Sequence, residues 1–386
     1  MHRYLFTNQP KPIFIHKRRR KLMKRSLNIM AIIILATLVL TACGSPAPAA
    51  TLAPGQVEVT RIVTSAPEIQ TVVVTAEPAA PTAPQLVIYM QMGGTQGDGS
   101  TLARTNGARA AAAAFNIKLV EQYSGWDNQK MIDQFKQAVA AKPDGIVIMG
   151  HPGGDAFSAL IDDAESQGII ITDGNNPGDP AFQAIAKKYQ PQGFGYAGAN
   201  LHAGGYLTGT AMIAAGLKAG DEALVYDVWH QEGRSVSSQG IVDALTEAGL
   251  KVDKLDATAE VDADASLAIP ILTAYIAAHP NLKAIGTQHG NITAVLPKVL
   301  EAAGKKPGEI VVGGIDLSPA TLDGIQKGWI SASFDQVLYL QGFFPVQQIF
   351  FTKMYNIPGL TIDTGVGTFT PQNLSSIAPL IEQGVR

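Results

Sequence analysis

The chain has 386 residues, of which 46% are hydrophobic, 7% aromatic and 16% charged, with a formal net charge of -3 and a single cysteine. A near-neutral charge without a basic stripe argues against nucleic acid as a partner, and one cysteine leaves no disulfide framework and no cysteine metal site. The length accommodates two α/β domains of ordinary size.

The first segment is basic, with Lys17, Arg18, Arg19, Arg20, Lys21, Lys24 and Arg25, and it runs into AIIILATLVLTAC, Ala31 to Cys43. A basic head and a short apolar run followed by Gly, Ser, Pro and Ala form the layout of a secretion signal, too short for a comfortable membrane span. Met23 is a second candidate start, because MKRSLN makes a compact basic head. The small residues before Cys43 resemble the lipobox of bacterial lipoproteins. That resemblance implies removal of residues 1–42, lipidation of Cys43 as the first mature residue, and anchoring on the extracytoplasmic side of the membrane. An uncleaved anchor with a buried cysteine is the alternative. Residues 43–84 are rich in Pro, Ala, Thr and Val, including VEVTRIVTSAPE and VVVTAEPAAPTAP. Such a segment cannot bury a core and reads as an extended tether, the prolines disfavouring an edge strand.

After Pro84 short apolar runs alternate with helical stretches. Strands are expected at 86–90, 117–123, 145–150, 168–174, 194–199, 223–229, 283–288, 309–316 and 330–336. Between them lie windows such as DNQKMIDQFKQAVAAK, whose Met131, Ile132, Phe135, Ala138 and Val139 recur at helical spacing. This βαβ repetition predicts parallel sheets with helices on both faces. Ligands of such sheets sit beyond the carboxyl ends of the strands. Several expected strands end in polar residues there: GGTQGDGS after the first, Asp173-Gly174-Asn175-Asn176, Trp229-His230, Gln288-His289 and Asp316.

Read singly, these residues have two meanings. Asp98 and Ser100 either cap the first helix or face a ligand, since cap and cleft coincide at a helix N-terminus. Asp127 is a natural N-cap. Trp126 and Trp229 either stack on a sugar ring or close the core, and Arg234 offers donors or stays solvated. Asn175, His230 and His289 are further candidates. The histidines lack paired metal-ligand spacing, so no metal and no cofactor is expected.

In this order the motifs AKPDGIVIMG, GIIITDG, GYAGANLHAGGYLTG, VVGGID and ASFDQ resemble the ribose-binding-protein-like sugar receptors of bacterial ABC importers, over Leu86 to about Asn373. The resemblance implies a type I periplasmic binding protein: two doubly wound lobes, 85–198 plus 337–364 and 199–336 plus 365–386, joined by three crossovers. It implies that Asp173, Asp316 and Gln336 hydrogen-bond sugar hydroxyls, carboxylates being strong acceptors for paired hydroxyls. The partners it implies are ABC permease subunits, with the receptor a monomer. Three departures argue against ribose itself: Gly174 replaces a frequent arginine, His289-Gly290 replaces an asparagine-aspartate pair, and the paired phenylalanines of the first loop are missing.

The function expected is therefore a lipid-anchored receptor, not an enzyme, for a neutral monosaccharide or polyol, because no cluster of arginines for an anion is evident. A sensory receptor for a sugar-like signal is the alternative. A secreted enzyme fits less well: the glycines of GGTQGDGS break G-x-G-x-x-G order, and no nucleophile elbow is present.

Overall fold

The computed structural model describes residues 85–386 apart from Gly178 and Gln288. The signal at 1–42, Cys43 and the tether at 43–84 lie outside the described residues, as does Gln288 at the end of one expected strand. The chain forms β1 (Val87–Gly93), α1 (Leu102–Ala114), β2 (Lys118–Tyr123), α2 (Asn128–Ala140), β3 (Gly145–Ile148), α3 (Gly154–Ser166), β4 (Ile170–Asp173), α4 (Pro180–Tyr189) and β5 (Gly195–Gly198). It then forms α5 (Leu201–Ala214), β6 (Glu222–Asp227), α6 (Val236–Glu247), β7 (Lys251–Asp256), α7 (Ala259–Ala263), α8 (Ala268–Ala278), β8 (Leu282–Gly286), α9 (Gly290–Ala302), β9 (Val311–Ile315), α10 (Pro319–Gln326) and β10 (Ala332–Asp335). Last come α11 (Leu338–Tyr355), β11 (Thr361–Asp363), β12 (Gly367–Phe369) and α12 (Ala378–Glu382).

Two six-stranded sheets result, in the orders β11-β5-β4-β3-β1-β2 and β12-β10-β9-β8-β6-β7. Every pairing is parallel except β10 with β12. Each sheet reads 2-1-3-4-5 in its own strand order, the doubly wound arrangement expected from the alternation of strands and helices. The chain passes between sheets three times: after β5, between β10 and α11, and between β11 and β12. All nine expected strands are present. Three more, β7, β11 and β12, are edge strands; β7 is KVDKLD, half-exposed and charged, so it carries little apolar pattern.

The central strands β3 (GIVI) and β4 (IITD) are buried at every position, which is why they read as continuous apolar runs rather than alternating ones. One face of the first sheet is closed by Phe135, Phe157, Phe182 and Phe194, stacked edge to face with centroids 5.5, 6.2 and 6.0 Å apart. Helix α2 supplies Phe135 from the face that also buries Met131, Ala138 and Val139, and Asp127 caps it by accepting from the Lys130 N–H. The other face is covered by α1 and α11 through Ala108, Ala111, Val346 and Ile349. Among the described residues no helix is long and apolar enough to cross a membrane.

Candidate functional site

A polar cleft lies where the carboxyl ends of the two sheets meet. From the first sheet's side it is lined by Ser100, Arg104, Trp126, His151, Asn175 and Asn176; from the second by Arg234, Asp262, His289, Asn291 and Asp316, with Gln336 at the second crossing. Of the residues expected from the sequence, Trp126, Asn175, Arg234, His289, Asp316 and Gln336 are brought together here.

Trp126 lies against Gly93 and Gly94: a Cβ on Gly93 would strike its ring, and one on Gly94 would stand 2.6 Å from the indole Nε1. The glycine pair after β1 thus makes room for the ring. Trp126 itself adopts a left-handed backbone, φ 65°, directly after Gly125 at 66°. Its ring has the Arg104 guanidinium 5.9 Å and the Arg234 guanidinium 5.6 Å from its centre, within cation–π reach. The His151 ring is 5.4 Å away, and burial among these cations holds the His151 imidazole well below its ordinary pKa, that is, neutral.

Arg234 is buried and makes a bidentate ion pair with Asp262. Its Nη2 also donates to His289 Nδ1 at 3.1 Å, and His289 Nε2 lies 2.8 Å from the buried Asp227 carboxylate. A guanidinium only donates, so Nδ1 must accept and Nε2 carries the proton toward Asp227. The second lobe's wall is therefore a connected row, Asp262–Arg234–His289–Asp227, with its orientation fixed from behind.

Asp316 follows β9 in a left-handed conformation, φ 65°, uncommon for a side chain with a Cβ. Its Oδ1 accepts from Gln336 Nε2 at 2.8 Å, and its Oδ2 lies against Gly290, where a Cβ would come within 2.6 Å. Burial raises its pKa to about 7, the Gln336 hydrogen bond and Arg104 opposing that rise. Behind it Gln341 ties the crossings together, donating to Gln336 and Thr364 and accepting from Asn175 Nδ2 at 2.8 Å.

Other expected residues stand elsewhere. Asp98 accepts from the backbone N–H groups of Thr95, Ser100 and Thr101 and shapes the turn into α1. Asp173 is buried beside the cleft, bordering a hollow with Phe182, Phe194 and Tyr196. Its Oδ1 accepts from Gly150 N–H while Oδ2 has no partner, and burial lifts its pKa well above the carboxylate range. Trp229 is turned away from the cleft: its Nε1 donates to the Val225 carbonyl, its ring joins the core under α6, and Lys254 covers it at 4.1 Å.

Arg104 is the principal residue that sequence reasoning missed, and it corrects the expectation that the site lacks clustered arginines. It sits in the alanine-rich helix α1, is 1% exposed, and donates from Nη1 to the Met92 carbonyl. Desolvation lowers its pKa to about 10, with Asp316, Asp98 and Asp173 acting against the drop. Its sequence signal was a lone arginine on a buried face of small residues, Ala103, Thr105, Gly107, Ala108 and Ala111. His151, Asp262 and Asn291 were likewise not anticipated. Among the described residues no group of three or more His, Cys, Asp or Glu side chains could hold a metal ion.

Two α/β lobes wound on parallel sheets, crossed three times by the chain and facing one polar cleft, define a type I periplasmic binding protein. Residues 96–350, more than half of the chain, match the family described as periplasmic binding protein domain, and the chain belongs to that family. It is 26% identical over 261 residues to the xylose/arabinose-binding protein XylF of Sulfolobus acidocaldarius, covering 64% of this chain and 62% of that protein. Among solved structures it resembles a carbohydrate transporter from Acidothermus cellulolyticus 11B in complex with myo-inositol (TM-score 0.66, 22% identity, 78% of this chain and 100% of that one). It also resembles a solute-binding protein from Agrobacterium radiobacter in complex with D-arabinose (0.66, 20%, 78% and 99%) and one from Agrobacterium vitis with bound D-fucose (0.66, 18%, 77% and 98%).

Proposed function

We propose that the chain is a non-catalytic extracytoplasmic receptor that closes on a neutral monosaccharide or related polyol and delivers it to an ABC import permease, held at the membrane through Cys43. The observation that carries this reading is the cleft, whose polar groups come from both lobes and set the arginines Arg104 and Arg234 beside the carboxylates Asp316 and Asp262 and one aromatic face, so that neither charge dominates. Only contacts made to both lobes favour the closed form over the open one, so a site divided in this way couples binding to closure. Asp316, Gln336, Asn175, Arg234 and His289 are the proposed polar contacts and Trp126 the stacking surface, with Asp173 and Asp98 shaping the first lobe's side. The sugar and inositol ligands named for the relatives support the choice of ligand class.

Thermal-shift measurements on the purified full chain against D-xylose, L- and D-arabinose, D-fucose, D-galactose and myo-inositol test this. A ligand at a thousand times its Kd adds about 4 kcal/mol of stability and raises Tm by several degrees. No shift with any of them, after unfolding and refolding to strip co-purified ligand, would remove the sugar reading.

A further inference from the structure

We propose that the end of the first lobe at which residues 43–84 join the domain is a lipid-binding surface: it rests on an anionic bilayer while the cleft, at the opposite ends of the strands, stays open to solvent. This rests on the membrane-held receptor reading above and extends it to the surface that meets the membrane.

Met354, Tyr355, Ile357 and Leu360 are 43%, 64%, 37% and 49% exposed, four large apolar side chains between the last turn of α11 and the start of β11. Asn356, in a left-handed conformation, ends α11 there and turns the chain back toward the sheet. The Tyr355 ring lies 6.2 and 6.1 Å from Phe350 and Phe351, and these pack on Phe115 at the end of α1, at 4.7 and 5.7 Å. All three phenylalanines are half-buried. Gln85 donates to Asn116, next to Phe115, so the chain enters the domain beside this patch. Lys118 at the start of β2 and Lys142 ahead of β3 are exposed at the same end, with no carboxylate partner among the described residues. Two acidic groups of that end are already paired, Asp144 with Lys353 and Asp162 with Lys188. An exposed apolar patch marks an interaction site, and cations flanking an apolar, tyrosine-bearing surface suit a boundary where anionic headgroups meet acyl chains. The corresponding end of the second lobe differs. Lys218, Asp221, Glu222, Lys251 and Lys283 mix both signs there, and none of the exposed large hydrophobic side chains falls in the segments that carry them. Even fully extended, residues 43–84 reach no more than roughly 150 Å from an anchored Cys43. The domain therefore meets the bilayer at high effective concentration, and a weak surface is enough to hold it there.

The test places a tryptophan on this end of the full chain, Tyr355→Trp or Leu360→Trp, and follows quenching of the added emission by lipids brominated in the acyl chain. Two positions keep it decisive if one variant does not fold. On vesicles of phosphatidylglycerol and phosphatidylcholine both reporters are quenched, whereas Lys283→Trp, at the corresponding end of the second lobe, is not. Pure phosphatidylcholine, or Lys118→Glu combined with Lys142→Glu, lowers the quenching about fivefold or more. Flotation of the vesicles reports the anchor separately. A chain that floats with the vesicles while Tyr355→Trp and Leu360→Trp stay unquenched overturns the proposal and leaves the receptor reading standing, and so does equal quenching at Lys283→Trp. Shielding of the two reporters in the absence of vesicles, together with a dimer in sedimentation, assigns the patch to a second copy of the chain and also overturns it. A chain that does not float removes the membrane-held reading and this inference with it.

Discussion

At the scale of single residues, the cleft is made of groups whose burial costs stability until a ligand compensates. Asp316 shows the sign of that cost. Its folded pKa, about 7, lies above the 3.8 of an unburied aspartate, so between these values the native state holds more protons than the unfolded one and stability falls as pH rises. The penalty is absent below about pH 4 and complete above about pH 7, where it reaches up to about 4 kcal/mol. Asp316→Asn should therefore raise the Tm of the ligand-free protein at pH 8, with the gap to wild type shrinking steadily toward pH 4 and the Gln336 contact to Oδ1 retained. Melting curves across that range check it; a gap independent of pH would mean that the carboxylate is not desolvated. Asp173, with one oxygen unpartnered in the interior, acts in the same direction, since burial also raises its pKa.

At the scale of elements, each lobe is closed by a pair of helices that cross at glycine. In the first lobe Gly107 of α1 lies against the Tyr339 carbonyl and Gly342 of α11 against the Arg104 carbonyl; a Cβ at Gly342 would also stand 2.9 Å from Ala108 N. In the second, Gly205 of α5 meets the Ser237 carbonyl and Gly240 of α6 the His202 carbonyl. These are backbone-to-backbone contacts, which no rotamer change relieves. Gly342→Ala should lower stability by about 1–3 kcal/mol through overpacking, despite alanine's better helix propensity. Because Arg104 lies at that crossing, it should weaken sugar binding as well. Gly240→Ala should cost comparable stability with a smaller effect on binding. Urea unfolding and calorimetry on the two variants separate these outcomes, and equal binding losses would disconnect the α1–α11 crossing from the cleft. The glycines of GYAGANLHAGGYLTG were visible in the sequence, but which backbone each one admits was not, since the partners are tens to hundreds of residues away.

At the scale of the whole molecule, the lobes touch through Ser100 with Asn291, Asn176 with the Gly233 carbonyl, and Trp126 beneath Arg234. Trp126 is the one tryptophan of three that lines the cleft. Sugar binding should therefore change intrinsic fluorescence in the wild type, in Trp229→Phe and in Trp329→Phe, but not in Trp126→Phe. A response that survives in Trp126→Phe and disappears in Trp229→Phe would place the ligand elsewhere. From sequence both tryptophans stand at the carboxyl end of an expected strand, Trp229 closing 223–229 and Trp126 in the loop after 117–123. What separates them is that Trp229 finds a carbonyl and a lysine to cover it within its own lobe, whereas Trp126 is pushed onto two glycines and left between lobes.

The sequence by itself determined the strand and helix order and the parallel, doubly wound sheets. Those follow from short-range periodicity: runs such as GIVI and IITD are apolar because both faces are covered. It did not reveal the edge strands β7, β11 and β12, whose few residues carry little or no apolar pattern and whose pairing depends on strands far along the chain. Nor did it reveal Arg104 as part of the cleft, or that His289, Arg234, Asp262 and Asp227 form one row. Periodicity reports which face of an element is buried, but the cleft is assembled from strand ends and helix starts more than two hundred residues apart, from Ser100 to Gln336. Which charge meets which across it is fixed only when the two sheets face each other, and desolvation then gives those pairings their energy.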